Sequence, residues 1–165
     1  MDEIKIPMSR PSIDYETQNS MFDVIKSGWL SQGKKTREFE NNLSEYLSSK
    51  VVVVNSGTSA LTAALSAHGI KPGDKVVVPS FTFIATSSAA KILGANILVA
   101  DVDAETLNVS PDSIEKIVEE HNDVKAVIIV DIAGQPVDLE PIIELSKRYN
   151  FILIEDAAQA IGSEY

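Results

Sequence analysis

The chain has 165 residues, which is enough for one domain of ordinary size with its own hydrophobic core. Its 14 basic and 24 acidic residues give a net charge of −10, which disfavours binding to nucleic acid or to an anionic membrane surface. The lack of cysteine, of a secretory signal pattern and of an apolar run near the ~20 residues of a membrane helix favours an acidic, soluble, cytoplasmic protein.

Residues 1–50 carry two amphipathic patterns and no strand pattern. The first pattern has its apolar positions at Met21, Phe22 and Ile25. The second has its apolar positions at Phe39, Leu43, Tyr46 and Leu47. These spacings predict one helix that ends at Gly28 and another that is capped at Thr36. We expect residues 1–50 to form a helical arm laid on the unit that follows.

From residue 51 onward, short apolar runs alternate with segments of helical spacing. The runs are continuous, as is typical of strands buried on both faces of a sheet, and comprise residues 51–54, 76–78, 97–100, 126–130 and 151–154. The helices between them have predicted ends at Gly69, Gly94 and Asn150, and a predicted start at Ser110. This alternation predicts an α/β fold with a mostly parallel sheet and helices on both faces.

The segment 55–60 follows the first predicted strand and opens a helix. A helix N-terminus offers unpaired N–H groups and partial positive charge to an anion. Thr58 and Ser59 add hydroxyl groups, and Gly57 allows close approach of the backbone. The segment is therefore a candidate anion site, although a tight turn with a Ser/Thr cap is the commoner origin of such a segment.

Two further segments follow predicted strands. Phe81 and Phe83 come after the second strand and are able to stack on a planar ligand, or to lie in the core under the next helix. Glu155 and Asp156 come after the last strand, either as a carboxylate beside a ligand or as an ordinary strand-end acidic pair. Ligands of open α/β sheets bind at the carboxyl ends of strands, so the three segments together suit a flat, phosphorylated heteroaromatic ligand.

Four motifs stand in the order and spacing of a known family, at residues 56–61, 79–83, 134–136 and 155–159. The segments 6–11 and 27–33 fit the same family. The sequence resembles the DegT-type nucleotide-sugar aminotransferases, a branch of the fold type I pyridoxal-phosphate enzymes, over nearly its whole length. The resemblance implies an aspartate-aminotransferase-like large domain, of which residues 51–165 are the front half.

The resemblance also implies roles for individual residues. Thr58 and Ser59, with the glycine before them, match the positions that hold the phosphate of pyridoxal 5'-phosphate. Phe83 matches the aromatic residue that stacks on the pyridine ring, and Gln159 matches the partner of the phenolic oxygen. Asp156 matches the catalytic carboxylate that pairs with the ring nitrogen, and its charge would keep that nitrogen protonated so that the ring acts as an electron sink.

Family members transfer an amino group, usually from glutamate, to a keto group of a nucleotide-linked sugar, and they are typically homodimers. This sequence departs from the family at Asp131 and Ala133, where a histidine and an aromatic residue are common. The Schiff-base lysine of the family lies beyond the Asp156 motif, but none of the 11 lysines here follows Asp156. We therefore expect a fragment that is inactive alone. Separately, we expect no metal site.

Two other interpretations stay open at this point. Some relatives carry histidine in place of the Schiff-base lysine and act as sugar dehydratases, so the parent protein is a candidate dehydratase as well. A chain of this length and strand pattern also fits a noncatalytic flavodoxin-like binding module that is complete at 165 residues.

Overall fold

The computed structural model describes residues 10–163, so most of the predicted 6–11 motif lies outside the described residues. The chain forms two compact units, one that ends at Val53 and one that begins at Val54. Among residues 10–163, no helix is long and apolar enough to cross a membrane.

The first unit contains the two predicted helices, α1 (Tyr15–Ser27) and α2 (Lys34–Tyr46). As predicted, α1 ends at Gly28, which has a left-handed φ of 69°. The predicted cap of α2 was wrong, because Gly33 precedes the helix and Thr36 lies inside it. The helix begins earlier than predicted because the carbonyl oxygen of Gly33 already accepts from the N–H of Arg37 at 3.2 Å.

The predicted strand at residues 51–54 was also wrong. The backbone N–H of Val51 donates to Oγ of Ser44 at 3.1 Å, and that of Val53 donates to Oε1 of Glu40 at 2.9 Å. Side chains of α2 therefore accept the backbone hydrogen bonds that a neighbouring strand would otherwise accept. An apolar, β-branched run favours a strand, but it does not reveal which partner accepts its N–H groups.

The second unit alternates helices and strands along the chain. Its strands are β1 (Lys75–Pro79), β2 (Asn96–Ala100), β3 (Val124–Val130) and β4 (Ile152–Asp156). Its helices are α3 (Gly57–Ala67), α4 (Ala85–Ile92), α5 (Pro111–Glu120) and α6 (Leu139–Tyr149). The predicted helix ends are confirmed: Ser110 caps α5 by accepting from the N–H of Ser113, and Asn150 ends α6 with a φ of 55°.

All four strands are parallel, in the order β2-β1-β3-β4. Pro79 at the end of β1 is level with Ala100, and Val130 at the end of β3 is level with Asp156. After β1 the chain adds β2 on one side of it, and it then adds β3 and β4 on the other side. The direction in which strands are added therefore reverses between β1 and β3. Such a reversal opens a crevice at the carboxyl ends of the strands.

Helices cover both faces of this sheet, as predicted. The α3/α4 face buries Leu65 and Ala89 against Val76, Ile128 and other apolar side chains. The α5/α6 face buries Ile114 and Ile142 against a second core. That core contains Val77, Val127 and Ile129 from the strands. Successive strand residues alternate between the two cores, so the position of a residue in its strand fixes the face that it occupies.

Candidate functional site

The N-terminus of α3 lies at the carboxyl edge of the sheet. The C-terminus of α3 leads through a short loop into the first residue of β1, so the helix runs antiparallel to the strand. Eleven helical residues span about 16 Å, and five strand residues span a similar distance. The start of α3 therefore reaches the level at which the strands end.

This helix start presents unused donors. The Ser56 hydroxyl accepts from the N–H of Ser59 at 3.1 Å and donates to Oγ of Ser59 at 3.0 Å, which leaves the Ser59 hydroxyl hydrogen able to donate outward. Within residues 10–163, nothing accepts a hydrogen bond from the N–H of Gly57 or Thr58, or from Oγ1 of Thr58. A Cβ at Gly57 would meet nothing within 4 Å. These groups form an open, positively polarised cradle for an anion.

Asp156 is the last residue of β4 and has the same strand parity as Ile154, which lies in the α3/α4 core. Its side chain therefore lies on the face that carries α3, at the edge where α3 begins. One of its carboxylate oxygens accepts from the N–H of Ala158 at 3.3 Å. No ion pair involves Asp156 in the described part of the chain, so the carboxylate is able to accept from a cationic ligand.

Gln159 lies in the turn after β4, close to the turn after β3. Its Oε1 accepts from the N–H of Ala133 at 2.9 Å, which leaves the two hydrogens of Nε2 as donors. Gly134 has a φ of 84°, and a Cβ there would lie 2.8 Å from the carbonyl oxygen of Gln159. The amide of Gln159 is therefore oriented by a turn that requires glycine.

The two phenylalanines after β1 are exposed, Phe81 by 52% and Phe83 by 77%. The interpretation that they are core residues was therefore wrong. Phe83 precedes α4, which begins at Ala85, and its carbonyl accepts from the N–H of Thr86 at 3.1 Å. The structure places the Phe83 ring after the carboxyl end of β1, open to solvent.

Asp131 and Glu155 form a second group at this edge that the sequence did not reveal. Asp131 is 2% exposed, and its carboxylate accepts from the N–H of Val137 at 3.0 Å. Burial raises the pKa of Glu155, and the charge and hydrogen bonding of Asp131 raise it further. Glu155 and Asp156 occupy opposite faces of β4, and Asp156 also accepts from the N–H of Ala158, as a strand-end acidic residue that caps the next turn would.

The sequence also assigned no role to Asn108, which is 5% exposed. Its amide holds the turn that follows β3 through three hydrogen bonds to backbone groups. A single buried asparagine has no periodic pattern around it, so no signal in the sequence could have found it.

The predicted site residues thus gather at one edge of the sheet by topology. The start of α3, Phe83, Asp156 and Gln159 all follow the carboxyl ends of strands or face them. Within residues 10–163, no hydrogen bond joins Thr58 or Ser59 to Asp156 or Gln159. The two groups therefore share this edge of the sheet without a direct hydrogen bond between them.

Comparison with known proteins identifies relatives of this chain. The model of the DegT/DnrJ/EryC1/StrS aminotransferase family matches residues 11–165. An aminotransferase from Psychrobacter cryohalolentis shares 34% identity over 96% of this chain, with a TM-score of 0.89. The pyridoxal-phosphate form of the putative sugar aminotransferase Spr1654 from Streptococcus pneumoniae shares 31% identity over 97% of this chain, with a TM-score of 0.90. A 3-amino-5-hydroxybenzoic acid synthase shares 32% identity over 95%, with a TM-score of 0.89.

The chain spans only 41% of the Psychrobacter protein and of the synthase, and 44% of the Streptococcus protein. The strand order alone is also compatible with flavodoxin-like modules, which share the reversal between two central strands. The family match covers nearly the whole chain, both of its units included, and separates the two possibilities. The chain belongs to the DegT/DnrJ/EryC1/StrS aminotransferase family, and it spans less than half the length of the solved relatives named above.

Proposed function

We propose that this chain is the cofactor-binding front half of a pyridoxal-phosphate-dependent aminotransferase that acts on a nucleotide-linked keto-sugar. The observation that carries the proposal is that an open anion cradle at Gly57–Ser59 lies on the same face and edge of the sheet as the Asp156 carboxylate, which forms no ion pair within residues 10–163. The Streptococcus relative, described as a putative sugar aminotransferase, is solved in a pyridoxal-phosphate form and in a pyridoxamine-phosphate form, which supports the cofactor and the sugar.

The polar and aromatic side chains at this edge fit the chemical groups of the cofactor. Thr58 and Ser59 would hold its phosphate through N–H and hydroxyl groups. Asp156 would accept from the ring nitrogen and keep it protonated, and Gln159 would donate from Nε2 to the phenolic oxygen. Phe83 would cover one face of the ring. When bound, pyridoxal phosphate supplies an electron sink for the charge that develops when a substrate carbon loses its proton.

The chain needs a further segment for the reaction. Proton transfer at the substrate carbon requires a positioned base, and the family's lysine has no counterpart after Asp156 in this sequence. We infer that the amine lies in a segment that follows residue 165 in the parent protein. By itself, the 165-residue chain is expected to bind the cofactor weakly and to transfer no amino group.

Domain organisation and partners belong to the same proposal. Residues 1–50 would be a helical arm, and residues 51–165 the front half of the cofactor domain. The division of the structure near Val53 and Val54 supports this boundary. The substrate would be a nucleotide sugar, the donor an amino acid such as glutamate, and the parent a cytoplasmic homodimer.

The test uses the parent protein, which comprises this chain and the segment that follows it. Bound pyridoxal phosphate should give an absorbance band near the visible range, and borohydride should fix the cofactor to a lysine beyond residue 165. Asp112, an exposed acid in the first turn of α5, provides a control: Asp112→Asn should keep the band. A parent that has the downstream lysine but shows no band would overturn the proposal, and a histidine at that position would favour a dehydratase.

A further inference from the structure

Asn108 is a buried amide whose hydrogen bonds all go to one short segment. Its Oδ1 accepts from the N–H of Ile132 at 3.1 Å. Its Nδ2 donates to the carbonyl oxygen of Gln135 at 3.0 Å and to that of Pro136 at 3.3 Å. Both hydrogens of Nδ2 are used, so the side chain is fully satisfied in its buried position. Residues 132–136, the β3 turn, are therefore held from one side by a single side chain.

The β3 turn holds a backbone conformation that needs such support. Ala133 has a φ of 55° and Gly134 a φ of 84°, and left-handed geometry is unfavourable for alanine. Strained residues of this kind persist only where the surrounding contacts over-determine them. Asn108 supplies those contacts on both sides of Ala133, at Ile132 and at Gln135.

The other side of the β3 turn meets Gln159. The N–H of Ala133 donates to Oε1 of Gln159, and the missing side chain of Gly134 lets the carbonyl oxygen of Gln159 approach. The hydroxyl of Ser163 also donates to the carbonyl oxygen of Gly134 at 3.2 Å. A displacement of the turn would therefore move the Gln159 amide, although Gln159 is exposed and forms no hydrogen bond with Asn108 in the described part of the chain.

We propose that Asn108 is a positioning residue, which fixes the β3 turn so that Nε2 of Gln159 is held toward the phenolic oxygen of the cofactor. The inference rests on the proposed function, because that function supplies the partner of Nε2. Asn108 touches neither cofactor nor substrate in this scheme. It acts through Ala133 and Gly134.

The β3 turn needs a side chain at position 108 that both donates and accepts hydrogen bonds, as asparagine does. Aspartate has the same shape but lacks both donors, and it would turn a carboxylate oxygen toward the carbonyl oxygens of Gln135 and Pro136. The Asn108→Asp variant should therefore displace the turn. The Gly134→Ala variant tests the same linkage from the other side without changing Asn108, since its Cβ would meet the carbonyl oxygen of Gln159.

The first measurement uses the 165-residue chain. In the isotopically labelled chain, the N–H of Ala133 should exchange slowly with solvent, because its hydrogen goes to Gln159. Asn108→Asp and Gly134→Ala should each speed this exchange about tenfold, which is the effect of losing one hydrogen bond of ordinary net strength. Unchanged exchange in both variants would overturn the linkage between Asn108 and Gln159.

The second measurement uses the parent enzyme with its cofactor, and follows the pH midpoint of the bound cofactor's absorbance. A hydrogen bond donated to an ionised oxygen stabilises the ionised form and lowers its pKa, so loss of the bond raises the midpoint. Both variants should raise it by up to about one pH unit. Ile142→Val, a core change in α6 away from the turn, should lower the melting temperature without moving the midpoint.

The outcomes separate the two proposals. If the unchanged parent shows no cofactor absorbance, the proposed function fails. If it does show the band, and neither variant moves the midpoint more than Ile142→Val does, the positioning role of Asn108 fails while the proposed function stands.

Discussion

Glu155 and Asp156 are consecutive residues of β4, yet their carboxylates serve opposite faces of the sheet. Asp156 lies on the α3/α4 face, and Glu155 lies on the α5/α6 face beside the buried Asp131. The pleat of the strand causes this separation, since it alternates side chains between the two faces. The two carboxylates can therefore be changed independently.

Asp156→Asn should greatly reduce catalysis by the parent enzyme. The amide keeps the shape of the side chain but carries no negative charge to keep the ring nitrogen protonated, so kcat should fall by about 100-fold or more. Steady-state kinetics measures this loss. Glu155→Gln, one residue away on the other face, is the matched control and should leave kcat nearly unchanged. Equal losses in the two variants would contradict the assignment.

Glu155 should make folding stability depend on pH. Its pKa is raised in the folded chain, first by burial and then by Asp131, so its stabilising contribution is present below its ordinary pKa of 4.5. This contribution is lost as the pH rises through the raised value, because the ionised form is disfavoured in the fold. Melting curves of the 165-residue chain at several pH values should show the loss, and Glu155→Gln should flatten it. A variant with an unchanged pH dependence would exclude Glu155 as the cause.

Ser56→Ala and Ser110→Ala form a matched pair, because both serines cap helices of the second unit through backbone N–H groups. Each variant should reduce the free energy of unfolding by about 1 kcal/mol. Only Ser56→Ala should also weaken binding of pyridoxal phosphate by the parent, since Ser56 holds Ser59 in the cradle. Equilibrium dialysis measures the affinity, and equal affinities in the two variants would place the phosphate elsewhere.

Phe83→Leu should weaken cofactor binding without loss of stability. The ring is 77% exposed, so its removal creates no cavity in the described structure. Loss of an aromatic stacking contact should lower the affinity of the parent by roughly 3- to 10-fold. Phe81→Leu is the control, because Phe81 lies in the same loop and is also exposed. The prediction fails if Phe81→Leu has the larger effect on affinity.

Periodicity and helix caps made most of the second unit predictable. The continuous apolar runs at 76–78, 97–100, 126–130 and 151–154 all became strands of the parallel sheet, within one to two residues at each end. The run at 51–54 has the same composition but became no strand. Its difference lies in the hydrogen-bond acceptors of α2, Glu40 and Ser44, which no periodic pattern links to the run.

The candidate site was predictable where it depends on strand ends and not where it depends on buried polar contacts. Asp156 and Phe83 could be placed on one edge because parallel strands all end there, whereas the start of α3 was predicted to lie there from a strand at 51–54 that does not form. The environments of Asn108 and Asp131 could not be predicted, because both are polar residues that are buried by contacts with residues 132–137, and the sequence gives no sign of those contacts.

The left-handed backbone conformation of Ala133 has a consequence for engineering the stability of this chain. A glycine at this position would remove the conformational penalty, about 1 kcal/mol or more, but it would also widen the range of shapes open to the segment. The added freedom of a glycine in the unfolded chain offsets part of that gain, so Ala133→Gly should change the free energy of unfolding less than the relief of strain alone suggests.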